Sequence, residues 1–380
     1  MSWAEFWWTS ITGAQTLISE VVTSLLDRRM VVLQVPADLP WRHQMRSCIL
    51  DLCRRQSSDF AGITPVVIDA VDDNPEGLGP GRLVLNRLCP PDCSTYRERA
   101  RITIQDYLVQ NELLKHVVVW VKGVAGEAAD QWLRFLRDFH NESPLFVLEC
   151  HGNNHISDSR TIHRICYQDY ITSYDLQLFN SFCIDSLTAT NSDAWKRYIA
   201  TAAALVCESD AEVSECLLRD INFHEKEIPD GLKSIADMPA FNRRGADKDS
   251  THVLSLIRQH KTEEITHRIW SAQVQVFYPI IEIERVAIVQ QLYDTLQTSL
   301  ERNQIFQFGT CITDPMDLEL GTLCYMMSNR EKDSSDYILY IPNEKLRDRI
   351  RFLRECRNLL AHAHCCTPQQ IGELLDREGI

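Results

Sequence analysis

Between Arg29 and His151 the chain alternates short, nearly continuous apolar runs with amphipathic stretches of helical period. Such apolar runs are typical of strands buried on both faces of a parallel sheet, and parallel strands need crossover connections, which are usually helices. The pattern predicts the order βαβαβαβ and a three-layer α/β domain with a parallel sheet. The predicted strands are Met30–Val35, Thr64–Ile68, His116–Val121 and Pro144–Glu149, and the predicted helices run through Met45–Leu52, Ile102–Leu114 and Ala128–His140.

The composition is that of a folded chain with room for two or three domains. Its 380 residues are 44% apolar and 24% charged, and the formal net charge is −14. A surface that binds nucleic acid everywhere needs clustered Lys and Arg, so the acidic balance leaves room only for a local basic patch. The fourteen cysteines follow no repeated spacing and no signal peptide is recognisable, which favours reduced thiols and a cytoplasmic location.

The N-terminal stretch Met1–Leu26 is predicted to be an amphipathic helix that packs against the protein's own core. It carries Trp3 and Trp7 one turn apart, but it lacks the Lys and Arg that attract anionic lipids. No segment of the chain reaches the roughly 20 apolar residues that a membrane-spanning helix needs. The sequence therefore predicts no membrane partner.

Beyond His151 the pattern is mainly helical, and it predicts three successive regions. Residues 1–225 are expected to form the α/β domain with a helical extension, residues 226–250 a linker or exposed loop, and residues 251–380 an all-α domain. The linker is predicted from polar composition and from its Pro and Gly residues. The predicted helices are Tyr174–Cys183, Ser192–Cys207, Ala211–Asp220, Thr251–Gln259, Glu263–Leu300, Pro315–Ser328, Asn343–Ala363 and Thr367–Arg377.

The loop after the first strand stands where a phosphate-binding loop would lie in a strand–loop–helix nucleotide site. Counted along that motif, Pro36 and Trp41 occupy the two glycine positions, Arg42 the lysine and His43 the hydroxyl residue. Glycines let backbone amides wrap phosphates, and the hydroxyl residue binds Mg²⁺, so the chemistry of the motif is missing. The strand that should end in metal-binding acids ends instead at Lys122.

In topology and loop position this region resembles a P-loop NTPase of the AAA or STAND type that has lost its active site. The resemblance implies a packing or docking module with no nucleotide cofactor and without ATP hydrolysis. Another possibility left open by the sequence is that a partner NTPase supplies the missing loop, while this chain contributes only an arginine such as Arg42.

The second candidate site lies in the predicted helix Asn343–Ala363. Leu346, Ile350, Leu353 and Leu360 define its buried stripe, and Arg357 falls inside that stripe. A buried or half-buried arginine needs a partner, which here means a carboxylate, a dimer contact or a bound phosphate. On an ideal helix His362 lies about 140° around from Arg357 and His364 within about 20°, so either histidine can be its companion. The segment is also locally basic, which fits either a solvated face or an RNA track.

The segment Arg357-Asn358-Leu359-Leu360-Ala361-His362 resembles the Arg-x(4-6)-His motif of HEPN domains, which are helical bundles found in RNases of bacterial conflict systems. Asp317–Leu323, and Trp270 with Pro279–Glu282, are similar to what precedes that motif in larger HEPN proteins with STAND-like modules. In catalytic members two such helices meet across a dimer, and the composite site cleaves RNA without a metal by attack of the ribose 2′-hydroxyl. Other members only bind or dimerise.

Carried over to this sequence, the resemblance implies that Arg357 stabilises the charged phosphate, Asn358 orients a polar contact, and His362 or His364 moves the proton. Charge stabilisation and proton transfer are the main needs of that reaction. The expected function is that of a metal-independent endoribonuclease effector in prokaryotic antiviral defence, acting on RNA as a homodimer joined through the helical domain. The alternative is a non-enzymatic adaptor that holds protein partners in a defence complex.

Two cysteine-containing clusters are not predicted to bind metal. Cys89 and Cys93 form one, and the other comprises Cys150, His151, His155, His163 and Cys166. Zinc sites usually combine two closely spaced ligand pairs, and neither cluster has that spacing. We therefore expect no metal ligands in this chain.

Overall fold

The computed structural model describes residues 1–96, 102–139, 144–152, 158–187, 192–245, 251–332 and 334–376. By its internal contacts the chain divides into two compact units. The first comprises Met1–Phe179 with Glu208–Glu215, and the second Asn180–Cys207 with Cys216–Ile380. The protein is α/β with a parallel sheet, as the sequence predicts, and its described residues form five strands in that sheet and many helices.

The sheet lies in the first unit and has the strand order β2-β3-β4-β1-β5. All its pairings are parallel, so that Val31 of the first strand faces Val147 on one side and His163 on the other. The four predicted strands are present, and a fifth, at the edge of the sheet, was not predicted. The strands are β1 (Met30–Gln34), β2 (Thr64–Asp69), β3 (Val117–Ala125), β4 (Leu145–His151) and β5 (Ile162–Cys166).

Helices cover both faces of this sheet. Val119 and Val121 of β3 point into a core shared with the helices Pro80–Leu88, Ile104–Gln110 and Gly126–Arg137, while Trp120 between them points to the opposite face, as strand alternation requires. The predicted N-terminal helix is in fact two helices, because Ile11 is extended and fully buried between them. The helices are α1 (Trp3–Ser10), α2 (Thr12–Leu26), α3 (Arg42–Gln56), α4 (Pro80–Leu88), α5 (Pro90–Thr95), α6 (Ile104–Gln110), α7 (Gly126–Arg137) and α8 (Tyr167–Tyr170).

The described residues of the second unit form mainly helices, with one short hairpin. Boundaries between the units fall inside the helices Ser173–Leu187 and Ala211–Asp220. The long helix Thr262–Gln291 packs against Asp193–Cys207 and Glu344–Ala361. The elements in chain order are α9 (Ser173–Leu187), α10 (Asp193–Cys207), α11 (Ala211–Asp220), α12 (Ile228–Ala236), α13 (Val253–Arg258), α14 (Thr262–Gln291), α15 (Tyr293–Arg302), β6 (Phe306–Gln307), β7 (Thr310–Cys311), α16 (Leu320–Ser328), α17 (Glu344–Ala361) and α18 (Pro368–Leu375).

The predicted linker 226–250 is not an exposed loop over its first part, because α12 lies within it. Pro229 occupies the first turn of that helix, where its missing N–H costs nothing, and Leu232 and Ile235 are buried. A Cβ at Gly231 would lie 1.7 Å from the side chain of Ile221, so this glycine serves close packing and does not break the helix. Residues 246–250 are outside the described ranges.

Candidate functional site

Helix α17 carries the candidate catalytic residues, and its buried stripe is the predicted one. Leu346, Ile350, Leu353 and Leu360 are all buried. The helix begins after Asn343, whose side chain accepts a hydrogen bond from the amide of Leu346 at 3.2 Å. Such an N-cap satisfies one of the free amides of the first turn and fixes where the helix starts.

The helix ends in a Schellman turn that places both candidate histidines. Ala363 has a φ of 59°, and the amide of His364 donates to the carbonyl of Leu359 at 2.9 Å. This left-handed residue reverses the chain immediately after His362, so His364 does not continue around the helix. The predicted angular positions therefore apply to His362 only in part and do not apply to His364.

His362 and His364 line the same open groove. Its volume is about 450 Å³, and both imidazoles are exposed to solvent. Asn358 also lines it, one turn before His362 on the same face of the helix. The other lining residues are Arg351, Arg354, Glu355 and Leu359. The groove therefore brings together three of the four predicted catalytic residues and two arginines.

Arg357 is absent from the described residues that line this groove. Its guanidinium donates to Oε2 of Glu319 at 3.2 Å, and the two side chains are 41% and 39% exposed. A second, longer contact of 3.4 Å runs from Arg357 to the side-chain oxygen of Asn358. The partner that the half-buried arginine requires is thus a carboxylate within the chain, and Asn358 is the residue that contacts Arg357 and also borders the groove.

The arginines of the groove differ in their surroundings. Arg351 forms an exposed ion pair with Asp348 at 2.9 Å, and such a pair contributes little to the stability of the fold. Arg354 lies beside Cys324 of α16; burial raises the pKa of that thiol, and the nearby Arg354 lowers it in part. The groove's carboxylate, Glu355, accepts a hydrogen bond from Gln370 at 3.1 Å. The lining residues thus carry two guanidinium groups and one carboxylate, and Asp348 outside the lining pairs with one of those guanidinium groups.

Two side chains of α14 hold the end of α17 in place. The indole of Trp270 donates to the carbonyl of Leu360 at 2.7 Å. The fully buried amide of Gln273 donates to the carbonyl of Cys366 at 3.1 Å and accepts from its N–H at 2.7 Å. Sequence analysis missed Gln273, although a polar residue among the apolar positions Ala272 and Val276 of one helix face is a signal for such a role.

The degenerate phosphate loop is the second predicted site. Its arginines and the amide of Trp41 are paired with carboxylates of the chain. Glu149, at the end of β4, is completely buried. Arg46 donates to its Oε1 from Nε at 2.9 Å and from a terminal nitrogen at 2.7 Å, while Arg42 lies 3.4 Å from Oε2. The indole of Trp120 also donates to Glu149. Two arginines at the start of α3 therefore share one carboxylate of the chain as their ion-pair partner.

The remaining loop residues do not form a phosphate cradle. Trp41 has a φ of 41°, and its amide donates to the carboxylate of Glu212 at 2.9 Å. This amide precedes α3, in a position that favours an anion, and Glu212 supplies the negative charge there. Pro36 is half-buried in the loop, and the side chain of His43 is exposed.

At the neighbouring strand ends, Lys122 and Asp69 form a 2.6 Å ion pair. Burial alone would raise the pKa of Asp69, but hydrogen bonds from Lys122 and from two backbone amides lower it below its ordinary value. A register shift between Val121 and Val124 forms a bulge at this end of β3. Lys122 thus occupies the position at which a nucleotide site would have a metal-binding acid, and it forms an ion pair with Asp69.

Within the described ranges, no three or more His, Cys, Asp or Glu side chains are grouped so that they could hold a metal ion. His155 of the second cysteine-containing cluster is outside those ranges. The helices of the described residues include none with the length and apolar character needed to cross a membrane.

Comparisons with known proteins give no family. No protein-family model matches the chain, and no curated protein does. Among solved structures, one chain of "Structure of Drosophila ORC bound to poly(dA/dT) DNA and Cdc6 (conformation 1)" matches at 13% identity, covering 96% of this chain and 69% of that chain, with a TM-score of 0.25. A likeness of that size supports no inference about fold or function.

Proposed function

We propose that this protein is a HEPN-type, metal-independent endoribonuclease whose proton-transfer groups are His362 and His364. The observation that carries the proposal is their joint position in one open groove with Asn358, Arg351 and Arg354. Guanidinium groups bind phosphate and imidazoles exchange protons near neutral pH, which are the two requirements of RNA cleavage by its own 2′-hydroxyl.

In the proposed reaction the ribose 2′-oxygen attacks the adjacent phosphorus, and the bond from phosphorus to the 5′-oxygen breaks. One neutral imidazole of the groove takes the proton from the 2′-hydroxyl, and the other, protonated, gives a proton to the leaving 5′-oxygen. The products are a 2′,3′-cyclic phosphate and a 5′-hydroxyl, so no water is consumed. Arg351 and Arg354 stabilise the charge that develops on the phosphoryl oxygens.

We assign Arg357 to the same reaction through a homodimer formed by the helical unit. Its guanidinium is accessible beside Glu319. A phosphate could replace that carboxylate, because both groups accept two parallel hydrogen bonds from an arginine. In a dimer of α17 helices, Arg357 of one copy serves the histidine groove of the other. Cleavage would then depend on protein concentration, since a single chain lacks the complete site.

In this proposal the first unit is a nucleotide-free module of P-loop NTPase ancestry that regulates the helical unit or docks protein partners. Its support is the position of the loop after the internal strand β1 and the carboxylate of Glu149, which pairs with both Arg42 and Arg46. A cytoplasmic effector of a prokaryotic antiviral system combines these parts: a nuclease unit and a protein-binding unit.

One observation favours the competing function, a non-enzymatic adaptor. The ion pair between Arg357 and Glu319 satisfies the arginine inside the chain, as expected where the motif only stabilises a helical bundle. The two functions differ in what removal of Arg357 does: a nuclease loses activity, whereas an adaptor loses only stability.

The test is cleavage of single-stranded RNA by the purified full chain in the presence of a chelator. His362→Ala and His364→Ala should each reduce the rate by about 10²–10⁴-fold, the usual share of general acid–base catalysis. Arg357→Ala should abolish RNA cleavage. His116→Ala removes an exposed histidine outside the groove and serves as the matched control. Unchanged cleavage and unchanged 2′,3′-cyclic ends in the Arg357→Ala, His362→Ala double variant would refute the proposal.

A further inference from the structure

The hairpin of β6 and β7 carries two exposed phenyl rings. Phe306 pairs with Cys311 across the hairpin, and Gln307 pairs with Thr310. Phe306 is 62% exposed, and Phe308 at the tip is 88% exposed. Exposed single aromatic residues are common on protein surfaces, but here both phenyl rings of one short hairpin are exposed, and we call this pair the phenyl platform.

The turn of this hairpin has an unfavourable residue at its tip. Phe308 and Gly309 have φ values of 51° and 83°, which is the two-residue turn that favours Asn-Gly. A phenylalanine in this left-handed region is strained, and here its ring is not rewarded by burial. The hairpin nonetheless stands on a firm base, because the amide of Ile312 donates to the carbonyl of Ile305 at 2.8 Å and both side chains are buried.

Gln307, between the two rings, fixes the hairpin to the residues that hold Arg357. Its side-chain oxygen accepts from the hydroxyl of Thr322 at 2.6 Å and from the amide of Glu319 at 3.2 Å. Its nitrogen donates to the carbonyl of Asp317 at 3.2 Å. Since the carboxylate of Glu319 binds Arg357, the phenyl platform and the guanidinium are positioned by the same short turn.

We propose that Phe306 and Phe308 stack on unpaired bases of the RNA whose phosphate Arg357 binds, an inference that rests on the proposed nuclease function. Aromatic rings beside a guanidinium are the usual means of holding single-stranded nucleic acid, because every base has a stacking face and every linkage a phosphate. A stable protein interface needs a larger continuous surface, whereas the exposed Gln304 and Thr313 interrupt this one with polar groups.

The experiment measures binding of a short single-stranded RNA that carries 2′-O-methyl groups and a fluorescent adenine analogue. Removal of the 2′-hydroxyl prevents cleavage, so binding is read independently of catalysis. Phe308→Ala and Phe306→Ala should each weaken binding about 5- to 150-fold, the range for loss of one base-stacking ring. They should also reduce the quenching of the analogue, and duplex RNA should bind all variants equally.

Phe308→Asn separates the ring from the turn, since asparagine suits the left-handed position and removes the strain along with the ring. We expect it to bind as weakly as Phe308→Ala, and Phe308→Trp to retain affinity. Binding by Phe308→Asn that equals the wild type would overturn the proposal. So would variants that alter only the oligomeric state in sedimentation, because the hairpin would then contact protein.

The two proposals fail in different ways. A wild-type chain that binds the RNA through its phenyl rings but cleaves no RNA supports the stacking platform and overturns the nuclease. If the wild-type chain cleaves RNA and both phenylalanine variants bind RNA with unchanged affinity, the nuclease is supported and the stacking platform is overturned. A wild-type chain with no measurable RNA affinity overturns both.

Discussion

Arg46 and Glu149 form a two-point ion pair at the carboxyl edge of the sheet, with both guanidinium contacts on one oxygen at 2.7 and 2.9 Å. Glu149 is fully buried, and Arg46 also lies over the ring of Trp120 at 5.6 Å. Charges taken out of water are stable only when paired and hydrogen-bonded, so this cluster depends on every member being present.

Replacement of Glu149 by glutamine should therefore destabilise the first unit by about 3–5 kcal/mol, because it leaves the half-buried Arg42 and Arg46 without that counter-charge. Chemical unfolding followed by tryptophan fluorescence measures the loss. Glu112→Gln is the control: its ion pair with Lys115 is exposed, and its removal should change stability by less than about 1 kcal/mol. Equal effects of the two substitutions would contradict the structural role of Glu149.

The left-handed residue Ala363 at the end of α17 gives a prediction with a built-in control. Ala363→Gly should stabilise the second unit by about 1 kcal/mol, since glycine lacks the Cβ that opposes a positive φ. Ala361→Gly, two residues earlier and still helical, should destabilise it by about 0.5–1 kcal/mol. The melting temperatures of the two variants should thus shift in opposite directions. Shifts of the same sign would contradict the left-handed conformation of Ala363.

The side-chain amide of Gln273 should make a large contribution to the free energy of unfolding, because it satisfies two buried backbone groups of Cys366. Gln273→Met keeps the volume but leaves the buried N–H and carbonyl of Cys366 without partners, each at a cost of about 1–3 kcal/mol. Trp270→Phe is the comparison, because the carbonyl of Leu360 that loses the indole still accepts a bond from Ala363. Urea unfolding should show a clearly larger loss for Gln273→Met. If the two losses are equal, the clamp on Cys366 is not a major constraint.

The ion pair of Asp69 and Lys122 predicts a pH dependence. The folded-state pKa of Asp69 is lowered, so the pair contributes stability above the unfolded value of about 3.9 and loses it as the pH falls through the lowered pKa. Asp69→Asn should therefore be less stable than the wild type near neutral pH, and this difference should shrink in acid. Melting temperatures across that range measure it; Asp59→Asn, at an exposed 4.0 Å pair, should show little effect at neutral pH. A difference that stays constant with pH would contradict the lowered pKa.

The parallel sheet could be predicted because its central strands are continuous apolar runs. The missed strand, β5, lies at the edge and contains His163 and Arg164 between apolar residues, so its pattern is ambiguous in sequence. The helix α12 was missed for a related reason. Its Pro229 and Gly231 have the composition of a loop, and only the packing against Ile221 shows why a glycine is needed there.

The candidate site was predictable where it depends on one helix. The stripe of α17 and its N-cap follow from local spacing, but the turn at Ala363 does not, because alanine carries no signal for a positive φ. The partners of the site come from distant parts of the chain: Glu319 for Arg357, and Gln273 for Cys366. Such pairings depend on the tertiary fold, which single-sequence patterns do not specify.

Glu149 and Glu212 are covalently part of the chain, so the anions at the start of α3 can neither diffuse away nor be hydrolysed. A bound triphosphate reports the energy state of a cell because it exchanges and is consumed; a resident carboxylate is a permanent counter-ion. In this arrangement the charge balance at the start of α3 does not depend on the concentration of a free anion.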